Sequence, residues 1–262
     1  MIAATITFVW LIPFFYILIT AVRPTQDFFM RGIFAWPNRI EMGNFVLAWE
    51  RIRHYYLNSI IVTGVTLPIL LFVSSLASYA LARMKFKFNG PLTMLFLLGF
   101  MIPVHVTVFP LYNLFRHTGI LNTHLSLILT GIAFGISFNV YLMKSFMQQI
   151  PVELEESARI DGASSFRIYV SIILPLSRPV LVVAAVLNFM AVWNEFFFAL
   201  IFIQSNSKMT VTIGLQTFIG QWSAQYNLMT AGMVLSVIPV LVLFLAFQKY
   251  IVQGISEGAI KG

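Results

Sequence analysis

Six stretches of this chain are each about twenty residues long and almost wholly apolar, and they limit the fold more than any motif does. They run roughly from Ile2 to Val22, Asn58 to Leu81, Leu92 to Leu114, Leu125 to Met143, Pro179 to Phe202 and Leu228 to Phe247. A helix rises ~1.5 Å per residue, so ~20 residues cross the ~30 Å hydrocarbon core of a bilayer. Only 10% of the 262 residues are charged, where a soluble domain carries about a quarter. The expectation is an all-α membrane protein of six transmembrane helices, read as one domain over residues 1–262 because no linker or fixed-period repeat divides it. The first stretch begins at Met1 without a basic region or a small-residue cleavage site, which predicts a retained span and not a cleaved signal. Pro68, Pro103, Pro110 and Pro239 fall inside the stretches, where each either kinks its helix or is simply tolerated.

Several chemistries are excluded at this stage. No cysteine is present, so disulfides and thiolate metal sites are impossible. The net charge of +7 is dispersed through the loops without a stripe, which argues against nucleic acid. No GxxxxGK[ST], HExxH or GxSxG signature occurs, and His54, His105, His117 and His124 lack the i, i+4 partner of a helical metal site. Neither catalysis, nor a metal, nor a bound cofactor is expected in this chain. Arg83, Lys85 and Lys87, then Lys144, Arg159, Arg167 and Arg178, then Lys249 and Lys261 all fall on one side of a six-span chain. The opposite short loops hold only Arg116 and Lys208. Arg23, Arg31, Arg39, Arg51 and Arg53 point the other way, but they lie in the longest loop and weigh less. Both termini are therefore expected in the cytoplasm.

The fourth and fifth stretches are separated by a polar interruption, about residues 147–178, that holds Glu153, Glu155, Glu156 and Asp161. Pro151 suits a first helical turn, and the three glutamates complement the positive end of the helix dipole, so a short helix should start near Val152. Glu155 and Glu156 precede Arg159 by four and three residues, which predicts pairing on one helix face. Asp161-Gly162 should break the helix, Ser164 or Ser165 should cap a second one, and Leu174-Pro175 should end it. This object should lie outside the bilayer.

The spacing Glu156-Ser157-Ala158, three residues, Gly162, nine residues, then Ile172-Ile173-Leu174-Pro175 closely resembles the EAA loop of ABC-importer permeases, with Ser157 in the usual alanine place. The resemblance covers nearly the whole chain: Asn58-Ser59, the SYALAR run ending at Arg83, Pro103 to Tyr112, and the tail from Gln248 all look like maltose-type permeases of sugar importers. Such relatives usually carry a short basic tail before the first span, so the chain start is expected to be truncated or assigned too late. The resemblance implies the type I importer permease fold. It makes Glu155, Glu156, Ser157, Ala158, Arg159, Asp161, Gly162, Ala163, Leu174 and Pro175 the coupling loop that docks on a cytoplasmic ATPase. It also implies a second homologous permease subunit, two ATPase subunits that bind the ATP, and an extracytoplasmic sugar-binding protein. Gly214, Phe218 and Trp222, in the loop from Gln204 to Asn227, are the expected contacts of that binding protein. The compartment implied is a bacterial or archaeal cytoplasmic membrane.

Trp193-Asn194-Glu195 in the fifth stretch stands apart, because Glu195 is the one carboxylate inside an expected span. A carboxylate there costs at least ~2.5 kcal/mol unless it faces protein or water. Trp193 can stack on a sugar face while Asn188, Asn194 and Glu195 offer hydroxyl partners. The alternative is that these residues pack on a partner subunit or cap a broken helix. The WNEF run is typical of carbohydrate permeases, by the same resemblance. The expected function is half of the translocation pathway of an ATP-driven, binding-protein-dependent sugar importer. A permease for a polyol or glycerol phosphate and a secondary transporter are the alternatives.

Overall fold

The computed structural model describes the backbone of residues 2–32, 35–220 and 225–259 and the side chains of 5–27, 30–32, 35–220 and 225–249. Hydrocarbon offers the backbone no hydrogen-bond partner, so an apolar segment must satisfy its own N–H and C=O groups as a helix. The helices are α1 (Ile2–Ala21), α2 (Thr25–Arg31), α3 (Gly43–Arg83), α4 (Asn89–Met101), α5 (Val108–His117) and α6 (His124–Met147). They continue as α7 (Glu153–Ile160), α8 (Ser165–Leu176), α9 (Arg178–Trp193), α10 (Phe197–Phe202) and α11 (Tyr226–Ala259).

Among the described residues, α3, α6 and α11 are long and apolar enough to cross a bilayer uninterrupted. Two further candidate spans are bent pairs, α4 with α5 at 91° and α8 with α9 at 74°, and α1 is a further apolar helix. Three expected boundaries need correction. The second span was expected from Asn58, but α3 starts at Gly43 and has 41 residues. Its first third is amphipathic, burying Ala48, Ile52 and Tyr55, and a hydropathy reading passes over such a segment. The third span is not one helix, because Ile102 before Pro103 is extended (φ −71°, ψ 123°), as a residue preceding proline prefers. Pro110 lies in the first turn of α5, where a missing N–H costs nothing, while Pro68 and Pro239 sit inside unbroken helices. The fifth span breaks between Trp193 and Phe197.

Backbone contacts divide the chain into two compact units, Met1–Ile60 with Ile203–Leu241, and Ile61–Phe202 with Val242–Gly262. In the first, Asn44 donates to the carbonyls of Ala21 and Arg23 at 2.9 Å each, and the fully buried Arg23 donates to Asp27 and Gly32 carbonyls. One of the five contrary charges of the long loop is thus consumed in holding that loop together. Asn58 donates to the carbonyls of Ser207 and Met209 at 2.8 Å each, and Ser59 Oγ accepts the N–H of Val211 at 2.9 Å. Those bonds give the Asn58-Ser59 pair a physical task. In the second unit the core gathers Tyr79, Met143, Met147, Ile150, Ile168, Tyr169 and Ile173. Met147, Ile150, Ile168, Tyr169 and Ile173 of this core belong to the polar interruption over 147–178 itself.

Candidate functional site

Helix α7 forms as its sequence requires, with Glu153, Glu155 and Glu156 in the first turn and Arg159 in the last. It ends in a Schellman motif: Ala163 N–H reaches the carbonyl of Ala158 (2.9 Å) and Gly162 N–H that of Arg159 (3.0 Å). The motif needs a left-handed residue, and Gly162 supplies it at φ +79°. No atom lies within 4 Å of where a Gly162 side chain would start, so the demand is on backbone conformation and not on space. Ser164 then caps α8, its Oγ accepting the N–H of Arg167 at 3.3 Å.

Helix α8 runs two residues beyond Leu174. Pro175 lacks the N–H of an i→i−4 bond, and the five residues before Leu174, Tyr169–Ile173, form a wider π turn in which Leu174 N–H reaches Tyr169 O. The chain turns sharply only at the buried Ser177.

The expected pairing of Glu155 with Arg159 is not what forms. Glu155 is buried and pairs with Arg83 at the end of α3, Nε to Oε1 at 2.8 Å, and Arg159 takes no part. Arg83 also donates to the carbonyl of Ile150. The reason is helical phase: Glu155 and Ala158, three apart, share the inward face, while Glu153, Glu156, Ser157 and Arg159 are exposed.

Arg83 is one of three polar side chains spaced four residues apart on α3, a face that sequence reasoning passed over. Ser75 Oγ lies 2.7 Å from the Tyr169 hydroxyl, Tyr79 donates to the carbonyl of Ser165 (3.2 Å), and Arg83 meets Glu155. The rings of Tyr79 and Tyr169 pack with centroids 5.3 Å apart. Eight residues of helix, ~12 Å, therefore hold both helices of the loop to α3 by side chains in register. The signal was present as an i, i+4, i+8 polar series within an otherwise apolar stretch.

The outward side is different in kind. Val152, Leu154, Ile160 and Phe166 are exposed beside the charged residues, Ile160 by 87%. Large apolar groups gathered on a polar loop mark a surface that another protein covers. Between α7 and α8 a groove of about 200 Å³ is lined by Ala158, Asp161, Ala163, Arg167 and Ser171.

The other expected site residues fall elsewhere. Asn188 and Asn139 exchange side-chain hydrogen bonds of 2.8 and 3.1 Å, so Asn188 joins α9 to α6 and offers nothing to open space. Trp193 is buried, stacked on Phe189 with centroids 5.5 Å apart. Asn194 is exposed and its amide folds back onto the Met190 carbonyl at 2.9 Å. Glu195 Oε1 accepts the N–H of Phe198 at 2.7 Å, in the first turn of α10. That is a cap on a broken helix, and it pairs one of the carboxylate oxygens inside the protein. Gly214 and Phe218 are buried: a Cβ on Gly214 would sit 2.2 Å from the Tyr55 ring, and Arg51 stacks over Phe218 at 5.0 Å. In this structure both serve packing and neither is presented at a surface. Trp222 lies outside the described residues. No cluster of metal-ligating side chains occurs among the described residues.

Residues 71–257 match the family described as binding-protein-dependent transport system inner membrane component. The chain is 38% identical over 95% of its length to a probable ABC transporter permease of Bacillus subtilis, YurM, covering 83% of that protein. It is 34% identical over its whole length to the melibiose/raffinose/stachyose import permease MelC of the same species, covering 95% of it. Against the trehalose/maltose permease MalG of Thermococcus litoralis the identity is 33%, over 99% of this chain and 95% of that one. A bacterial ABC transporter that imports alginate contains a chain of the same fold, with a TM-score of 0.80, 21% identity and coverage of 95% and 93%.

Proposed function

Because the chain belongs to the inner membrane components of binding-protein-dependent transport systems, we propose that it forms half of the translocation pathway of an ATP-driven sugar importer. It is a non-catalytic permease subunit with the type I importer fold. Sugar as substrate is supported by the relatives, one a melibiose/raffinose/stachyose import permease and another a trehalose/maltose transport system permease. The complex would contain a second homologous permease, two cytoplasmic ATPase subunits that bind the ATP, and an extracytoplasmic sugar-binding protein. Membrane lipid surrounds it, and it would sit in a bacterial or archaeal cytoplasmic membrane with both termini inside.

The observation that carries this reading is the division of α7 into two faces. Its outer face, with Glu156, Ser157, Arg159 and Ile160, would dock on an ATPase subunit, and its inner face grips α3 through Arg83 and Glu155. Movement of the ATPase would then shift α7, and the three contacts along α3 would pass that shift into the spans. Asn194 and Glu195, at the break in the fifth span, are the groups we place beside the solute, with Asn188 and Trp193 fixing the helix that presents them. Gly214, Phe218 and Trp222 would shape the segment that meets the binding protein. Proteoliposomes test this reading. Uptake of radiolabelled raffinose or maltose should require ATP, the ATPase subunits and the binding protein together. Uptake driven by an ion gradient without them would overturn it.

A further inference from the structure

The two-faced loop explains the end of α6 only in part, because Lys144 lies one turn before the helix terminus and is turned away from it. Lys144 Nζ donates to Thr93 Oγ1 on α4 at 2.9 Å. Among the described residues no carboxylate pairs with it. It stands in a groove of about 150 Å³ between α4 and α6, lined by Thr93, Phe96, Leu97, Val140, Lys144 and Gln148.

The lining is graded. Phe96, Leu97, Val140 and Tyr141 stand at one end, and Thr93, Lys144, Ser145 and, just past the end of α6, Gln148 at the other, so within about two helical turns the wall passes from mostly apolar to cationic and polar. Helix α4 buries none of its residues in this chain, and Leu95, Leu98 and Phe100 are exposed on it. The polar end is also the end of α6 that leads into the 148–152 turn, where an apolar span gives way to a charged loop. A cation without a carboxylate, at the depth where a span leaves the hydrocarbon and at the mouth of an apolar groove, follows the polarity order of an anionic phospholipid with the headgroup charge complemented. A lysine with no such role would extend into water past its own helix end. This one is held sideways against α4.

We propose that the α4–α6 groove binds an anionic phospholipid, its phosphate paired with Lys144 and hydrogen-bonded by Gln148, and its acyl chain along Phe96, Leu97 and Tyr141. The leaflet, cytoplasmic, rests on the orientation proposed above, while the site itself does not. A basic residue near the membrane surface contributes about a fivefold preference for an anionic headgroup.

The test uses the assembled, purified transporter, delipidated and titrated with dioleoylphosphatidylglycerol or dioleoylphosphatidylcholine and read by native mass spectrometry. The expected result is a phosphatidylglycerol adduct bound about fivefold more tightly than phosphatidylcholine. Lys144→Gln should abolish the preference and Lys144→Arg should keep it. A diazirine-tailed phosphatidylglycerol should label the peptides carrying Phe96 and Tyr141, in wild type more than in Lys144→Gln. Millimolar inorganic phosphate should leave the adduct in place, since headgroup and chain bind together; displacement by phosphate would reduce the site to an anion site and overturn the proposal. Equal adducts in wild type and Lys144→Gln, or labelling confined to other peptides, would also overturn it. None of these readouts depends on sugar uptake, so failure here is distinguishable from failure of the importer reading.

Discussion

Gly162 and Gly214 are the same residue doing opposite work in two regions of the molecule. Gly162 has open space around it and a left-handed backbone, φ +79°, whereas Gly214 has an ordinary helical φ of −56° and the Tyr55 ring against it. The first glycine is required by the chain's path and the second by a neighbour. At the turn between α7 and α8 a side chain is therefore tolerated to the extent that it accepts positive φ. In the 204–220 segment it is tolerated to the extent that it is small. The lesson extends to the surrounding residues: helix α7 divides its side chains between an inner and an outer face, while the 204–220 segment turns Gly214 and Phe218 wholly inward.

The largest expected effect comes from the inner face of α7. Arg83→Met or Glu155→Met alone strands a buried charge, at a cost of about 3–5 kcal/mol. Each should lower the thermal stability of the assembled transporter and its uptake. The double Met variant should regain much of the stability, as a double-mutant cycle would show. It should not regain tight coupling of ATP hydrolysis to transport, because the contact with α3 is gone. Recovery of both would mean that the pair only packs.

Next is Gly214→Ala, where overpacking against Tyr55 should cost roughly 1–3 kcal/mol. Gly214→Asn, larger still, should be worse. The order reverses at Gly162. There Ala should cost about 1–2 kcal/mol through the left-handed backbone, and Asn, which accepts that conformation, should be milder. Melting curves of the four variants break the comparison if Asn is the worse residue at both positions. The smallest effect is expected at Glu195. Glu195→Gln keeps an acceptor for the Phe198 N–H and Glu195→Leu removes it, a difference of about 0.5–2 kcal/mol. Uptake should follow the same order, and equal loss in both variants would show that the charge, and not the cap, is what matters.

How much of this was legible depended on periodicity. The 147–178 loop announced its helix, its glycine turn and a serine cap at 164 or 165, because those are local demands of the glutamates, Gly162 and the serines on their own backbone, although α7 starts at Glu153 and leaves Pro151 outside its first turn. The partner of Glu155 was not legible. The i, i+4 rule pointed to Arg159, and only the fold brings Arg83, 72 positions earlier, onto the inward face. Apolar runs located the three uninterrupted candidate spans and the two bent ones among the described residues, and Pro103 marked one bend, yet hydropathy was blind to the amphipathic start of α3 and to the bend at Ser177. The Asn194-Glu195 break was visible only as an alternative, since a capping carboxylate and a pathway carboxylate have the same sequence. Phe218 shows the limit most plainly, because an aromatic in an irregular segment has no periodicity to say which way it faces.

The account turns on the outward face of α7 being the ATPase-docking face, and the absence of native cysteine allows a direct measurement. Ile160→Cys, at the most exposed apolar position of the helix, should react readily with a hydrophilic thiol reagent in the isolated subunit in detergent. It should become protected when the ATPase subunits assemble on it, while Ile173→Cys, at a fully buried position of the core, should react poorly in both states. A Cys at 160 that stays equally reactive in the assembled, transport-competent complex would contradict the account.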